Sequence, residues 1–276
     1  MRLTSHARTF GKTAVGTLLG LAAPRLAESD PTGEPASSVA LRLRRWVLHA
    51  RLERARWRGD AARIEATLHA FWRGQTGDDF YDRYAQRFER WFNGPHRAIL
   101  DRMADLADRR DWSNLVEIGC GDGRALSHLA TVLPGIRSAV GIDINPRIIA
   151  RDRIAHAGNR KLRFMDCDAC AVLPDLIVPG TLLFSYGGVL EYFTAEHLDA
   201  IFDLVRAAPG SAIALVEPVD PAHDLFLDPS SHVFGGENSF SHNHAARAAR
   251  AGLAVRFQQE IVDGGVRWMM LLAEAD

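Results

Sequence analysis

The stretch Val116-Glu117-Ile118-Gly119-Cys120-Gly121-Asp122-Gly123 decides the fold. Leu115 to Ile118 is short, apolar and bounded by glycine, the texture of a strand buried on both faces. Gly119, Gly121 and Gly123 let the backbone bend tightly and approach a ligand without a Cβ in the way. A helix follows through Ala125 to Leu133. Strand, glycine turn and helix form the nucleotide-binding opening of an open α/β sheet. The spacing is G-x-G-x-G, and Arg124 stands where G-x-G-x-x-G has its last glycine. That glycine lets the helix pack closely over a pyrophosphate. Glu117 would repel a pyrophosphate and suits an ammonium instead, so a dinucleotide is the poorer occupant.

Working outward, short apolar runs alternate with amphipathic helices. Ser138 to Ile142, Leu162 to Met165, Thr181 to Ser185 and Ala212 to Val216 read as strands. Asn145-Pro146 opens a helix with a cap and a first-turn proline, and Thr194 caps another whose Leu198, Ile201, Phe202 and Val205 share a face. A helix is expected over about Ser241 to Ala251. Ala254 to Ile261 and Val266 to Leu272 flank Asp263-Gly264-Gly265, a hairpin turn. This pattern predicts an α/β, Rossmann-like domain over 111–276. Its mostly parallel seven-stranded sheet would end in a C-terminal antiparallel hairpin.

Residues 1–37 read as a flexible lead-in, with Ser29-Asp30-Pro31-Thr32-Gly33-Glu34-Pro35 inside it. Residues 38–110 read as an N-terminal helical cap. Its first helix is capped by Ser37 or Ser38 and packs Val39, Leu43, Trp46 and Val47; its second covers Ala61 to Trp72. A third begins near Asp79, carries the aromatic stripe Phe80, Tyr81, Tyr84, Phe88, Trp91 and Phe92, and continues to about Arg110.

A net charge of −1 gives no pull toward nucleic acid or an anionic membrane, and neither is expected as a partner. The Arg-rich helix 42–58 reads as a solvated face. Three cysteines do not make a disulfide framework. Cys167-Asp168-Ala169-Cys170 lacks the second pair of a zinc tetrad, and no metal site is expected. The apolar run Thr13 to Ala23 is short and diluted by glycine, so a cytoplasmic compartment is expected rather than secretion.

Asp143 ends the second strand, about twenty-four residues beyond Gly119, where a carboxylate can accept from both hydroxyls of a ribose. Asp168 follows the third strand and can accept from an adenine amine, with Ala169 offering a backbone N–H. Val116 to Gly123, Val140 to Asn145, Arg163 to Pro174 and Leu183 to Phe193 resemble the ordered motifs of class I S-adenosylmethionine (SAM)-dependent methyltransferases. The resemblance spans about Asp111 to Leu272 and implies SAM as cofactor. It also implies that Glu117, Gly119, Cys120, Gly121 and Gly123 shape the methionine end. Asp143 would hold the ribose, Ile144 would pack on adenine, and Asp168 and Ala169 would bind its edge. Ser185 and Tyr186 would form the floor beneath the sulfonium. Tyr81-Asp82-Arg83-Tyr84-Ala85 is similar to a closing helix of many relatives, which points Tyr81 or Tyr84 at the methionine carboxylate.

Ser185-Tyr186-Gly187-Gly188 does not resemble the Asn/Asp-Pro-Pro-Tyr signature of amino methyltransferases acting on DNA bases or glutamine. A small-molecule acceptor is expected, with a hydroxyl of a sugar or secondary metabolite first. N- or C-methylation, an aminopropyltransferase and a non-catalytic binding protein are the alternatives. Val189-Leu190-Glu191-Tyr192-Phe193 is similar to a segment that supplies metal ligands in RNA ribose methyltransferases. Here Gly188 and Tyr192 replace two of them, which leaves Glu191 as a possible base or a capping carboxylate. The stretch Glu217 to His244 reads as an irregular loop rich in acids and histidines, and His242 and His244 are its leading candidates for a general base.

Overall fold

The computed structural model describes residues 16–18, 38–74, 88–107 and 109–275. These fall into two compact units, 1–80 with 233–239, and 81–232 with 240–276. Phe80, Tyr81 and Tyr84 of the aromatic stripe lie outside the described residues.

In the first unit α1 (Ser38–Trp57) and α2 (Ala61–Arg73) form a hairpin. Asp60 breaks the helix and caps α2 by accepting from the Arg63 N–H at 2.9 Å. Val47, Leu52, Ala55, Ile64 and Leu68 are buried along the seam. Trp57 is almost fully exposed.

The second unit opens on a π-turn (Phe88–Phe92) and α3 (Arg97–Ala107). Then follow β1 (Asn114–Ile118), α4 (Arg124–Val132), β2 (Ser138–Asp143), α5 (Pro146–Ala155), β3 (Leu162–Asp166) and α6 (Ala169–Leu176). After β4 (Thr181–Tyr186) come a single 3₁₀ turn (Leu190–Tyr192), α7 (Ala195–Ala207) and β5 (Ala212–Val219). Next are β6 (Ser231–Phe234) and β7 (Ser239–His242), of which residues 233–239 count with the first unit, then α8 (His244–Arg250), β8 (Ala254–Asp263) and β9 (Val266–Glu274).

Seven strands form one sheet in the order β3-β2-β1-β4-β5-β9-β8, parallel except for β9, which is antiparallel to both β5 and β8. The order reverses between β1 and β4, so ligands belong at the carboxyl ends of those strands. Side chains alternate across β1: Leu115 joins a core with Leu126, Leu129 and Phe184, and Val116 joins another with Leu173, Leu183 and Ile213.

Three features differ from the sequence reading. The expected long third helix is broken at Asn93-Gly94-Pro95-His96, because proline lacks the N–H that a continuing helix needs. The helix after the break, α3, buries Ile99, Leu100 and Met103 in the sheet's own core, so it belongs with the sheet unit rather than with a cap ending at residue 110. The loop after β5 contains the two-stranded sheet β6–β7, and its helix starts at His244 after Asn243 caps it. Among the described residues no helix is long and apolar enough to cross a membrane.

Candidate active site

The turn after β1 is built for close approach. Gly119 has φ 68°, and a Cβ there would fall 2.5 Å from a Val189 methyl, so neither the conformation nor the space admits a side chain. The Cys120 N–H donates to Ile142 O at 3.0 Å, which ties the turn to β2. Asp143, at the end of β2, is buried and holds the turn from the other side. Its Oδ2 accepts from the Gly121 N–H at 3.1 Å and its Oδ1 from the Asn145 N–H at 2.9 Å.

Glu117 lies under this turn, 2% exposed, and its Oε2 has no hydrogen-bond partner among the described residues. Burial first, then the neighbouring charges of Asp122 and Asp152, pushes its carboxyl well above the usual range. Asp152 of α5 is also buried with Oδ2 unpartnered, and burial followed by Asp122 and Asp143 raises it to about 8. Acidic groups thus converge here; Asp122 pairs with Arg124 at 3.4 Å, while Glu117 and Asp152 each keep an oxygen without a hydrogen bond among the described residues. A buried carboxylate is stable only if protonated or met by a cation. The turn and its carboxylates fit a ligand that brings a positive charge and hydroxyl donors.

Along the sheet edge, Ile144 is half-buried in the loop after β2. Asp168 caps α6, its Oδ1 accepting from the Cys170 N–H at 2.9 Å, and Ala169 is buried behind it. Cys167 and Cys170 lie half-buried at the start of that helix, and Cys120 is buried in the turn.

At the end of β4 the key residue is one the sequence placed in a loop. Glu217 belongs to β5 and is fully buried. Its Oε1 accepts from Ser185 Oγ at 2.8 Å, and its Oε2 accepts from the N–H groups of Val189 and Leu190, each at 3.0 Å. One carboxyl therefore braces the loop that carries Val189 against Gly119. Burial raises Glu217 to about 7 against the pull of these donors. Because Ile118 pairs with Ser185, Gly119 and Tyr186 leave the sheet side by side. Tyr186 is buried against Phe92, with ring centroids 4.8 Å apart, and its Oη lies 3.1 Å from His96 Nδ1. His96, buried beneath Trp268, was missed because its segment reads as continuous helix; Gly94-Pro95 was the available signal. Glu191 is half-buried on the 3₁₀ turn, and its Oε1 fills the space a Gly188 side chain would need.

The two expected bases lie in the body of the fold. His242 Nε2 faces Phe193 O at 3.1 Å and Nδ1 faces Ser231 Oγ at 2.6 Å, so both ring nitrogens are engaged. Burial first, then His244 and Arg247, holds His242 well below the usual histidine range. His244, the first residue of α8, is lowered to about 3 by burial and then by Arg247 and His223. A general base must accept a proton near the working pH, and these environments oppose that.

Residues 115–208 match a protein family described as a methyltransferase domain. No curated protein matches the sequence. Among solved structures, magnesium protoporphyrin IX methyltransferase from Synechocystis PCC 6803 with bound S-adenosylhomocysteine (SAH) is 17% identical. The match covers 76% of this chain and 99% of that one, with a TM-score of 0.54. A SAM-dependent methyltransferase from Clostridium acetobutylicum ATCC 824 is 10% identical over 71% of this chain and 98% of its own, with a TM-score of 0.50. At these identities the structures speak for the fold, and the family match speaks for the domain. Matched segment, strand order and glycine turn agree: residues 115–208 carry a methyltransferase domain, set in a Rossmann-like sheet.

Proposed function

We propose that this enzyme transfers the methyl group of SAM to a hydroxyl of a small molecule. The observation that carries the donor site is the buried, unpartnered Oε2 of Glu117 beside a turn that admits no side chain. The ammonium of the donor's methionine part is the charge that would meet it. Both Asp143 oxygens are turned by backbone N–H groups at the end of β2, where a carboxylate suits the two ribose hydroxyls. Ile144 would pack on the adenine, with Asp168 and Ala169 at its edge. Cys120, Gly121 and Gly123 would shape the turn, and Ser185 and Tyr186 the floor. Tyr81 stays in the proposal as a contact for the methionine carboxylate.

When bound, the donor supplies an electrophilic methyl group, so the protein has to align the acceptor and remove a proton from a hydroxyl. For the proton we favour the His96–Tyr186 pair over His242 and His244, because it stands beside Gly119 at the reversal point of the sheet. Glu191 is the second choice, being the half-buried carboxylate on the adjoining turn. The small-molecule assignment is supported by Ser185-Tyr186-Gly187-Gly188, which lacks the amino-methyltransferase signature. It is also supported by the likeness in fold to an enzyme named for a porphyrin substrate.

The test has two parts. Calorimetry with SAH should show binding by the wild type and loss in Glu117→Gln and Asp143→Ala; undiminished binding by both variants would sink the donor site. Labelled methyl transfer into a fractionated metabolite extract, read by mass spectrometry, should place the label on an oxygen of a small molecule. Label confined to protein or nucleic acid would overturn the acceptor. His96→Gln should lower kcat with SAH binding intact, whereas His242→Ala should leave kcat per folded molecule nearly unchanged.

A further inference from the structure

We propose that His223, Asp228 and His232 form a binding site for one divalent transition-metal ion, beyond anything the methyl-transfer reading requires. These residues are scattered through the stretch after β5, and no short motif joins them. The fold brings one ligand atom from each to within 4.8 Å of the others.

Each group is oriented from behind. Asp228 Oδ1 accepts from the Ser230 N–H at 2.8 Å, which turns Oδ2 toward His223 Nε2 at 3.8 Å. Asp220 Oδ1 accepts from the Ala222 N–H at 2.9 Å, and its Oδ2 lies 3.1 Å from His232 Nε2. His223 Nδ1 is held at 2.8 Å by Ser241 Oγ, which itself accepts from the Asp220 N–H at 3.0 Å. His223 Nε2 also lies 3.2 Å from the Asp228 carbonyl, which can only accept, so without an ion this nitrogen carries the proton; binding an ion there moves the proton to Nδ1, which then donates to Ser241 Oγ. Arg267 donates to the carbonyls of Asp220 and His223 and pairs with Glu260, so its charge is engaged outside the cluster. Such outer hydrogen bonds fix ring orientation in metal sites and leave the inner nitrogen to the ion.

The two imidazole rings are 4.6 Å apart. Around a tetrahedral ion with bonds near 2.1 Å, ligand atoms sit roughly 3.4 Å apart, so the cluster must contract. The His223 side chain is fully buried and fixed, whereas those of Asp228 and His232 are 44% and 37% exposed. That exposure also gives an ion its way in. Two imidazole nitrogens with one or two carboxylate oxygens select zinc, cobalt, nickel, manganese or iron over magnesium and calcium, which prefer all-oxygen shells.

The test uses the full chain after treatment with a chelator. Cobalt(II) is titrated while its visible absorption is followed, and zinc uptake is measured by equilibrium dialysis. One equivalent should bind, with the intense visible bands of a four- or five-coordinate ion. His232→Ala and Asp228→Asn, both at exposed positions that should leave folding intact by circular dichroism, should each weaken binding at least thirtyfold. His197→Ala, an exposed histidine elsewhere, should bind as the wild type does. Absence of a stoichiometric site in the wild type, or wild-type affinity in both cluster variants, would overturn the proposal. SAH calorimetry on the same samples reads the donor site separately.

Discussion

The turn after β1 and the stretch after β5 are both rich in titratable groups, yet they solve opposite problems. Beneath the turn, Glu117 and Asp152 are buried carboxyls, each with an oxygen that no hydrogen bond satisfies among the described residues. After β5, many of the groups bond one another, although His244 Nδ1 and Arg247 Nε find no hydrogen-bond partner among the described residues. His242 bonds Ser231 and Phe193, Arg247 bonds Ser231 and Asp199, and Asn243 caps α8 while its amide reaches the carbonyls of Leu225 and Asp228. A buried carboxyl left with an open oxygen is arranged for a ligand, whereas a residue such as His242, with both ring nitrogens engaged, is arranged for stability. Histidine count alone therefore does not separate a packing histidine from one open to a ligand.

The largest effect that would separate the regions comes from Gly119→Val, which drives a branched side chain into Val189 from a left-handed backbone. SAH affinity should fall at least a thousandfold, about 4 kcal/mol by calorimetry. Unchanged affinity would break the contrast at once. Glu217→Ala comes next, leaving Ser185 Oγ and two buried N–H groups without an acceptor. Urea denaturation should show a loss of about 3 kcal/mol, and Glu217→Gln, which keeps an acceptor oxygen, should lose less.

Asp152→Asn sharpens the comparison through pH. Asp152 is raised to about 8, so the native state holds a proton that the unfolded chain releases near pH 4. The stability linked to this group is complete below pH 4 and is lost as pH rises through about 8. Glu217, raised to about 7, adds a loss of the same sign. The variant should therefore show a flatter stability profile from pH 4 to 8, read from urea midpoints at each pH; an unchanged slope would show that Asp152 is not buried as a carboxylic acid. The smallest effect belongs to the exposed pair Arg153–Asp166, where Asp166→Asn should cost less than about 1 kcal/mol, and less again in high salt.

What could be read from the chain was local. β1, its turn and α4 are contiguous, and their pattern switches sharply from a buried run to glycine to a helix period. The caps Asn145 and Thr194 were legible for the same reason, since each side chain accepts from an N–H two or three residues on. Glu217 was not legible as a strand residue, because Pro218 follows it and proline argues against a strand interior. β5 tolerates Pro218 because β4 has already ended there, leaving β9 as the one neighbouring strand at that point. The β6–β7 pair was hidden by its polar composition, Ser231-His232-Val233-Phe234 against Ser239-Phe240-Ser241-His242, which lacks alternation. The convergence of His223, Asp228 and His232 depends on that pairing, so no reading of spacing alone could reach it.

The position of β9 also constrains the order in which the sheet can assemble. β8 precedes β9 in the chain but lies outside it, so β8 meets no partner on the sheet until β9 exists. The β8–β9 hairpin, closed by Gly264-Gly265, is the local event and can form within microseconds. Its docking on β5 must wait for a loop closure some forty residues wider, and such long-range pairings are slow. The last step of folding should thus be the arrival of a preformed ribbon against an existing parallel half-sheet. Substitutions in the hairpin turn would then change the folding rate less than substitutions along the β5–β9 seam.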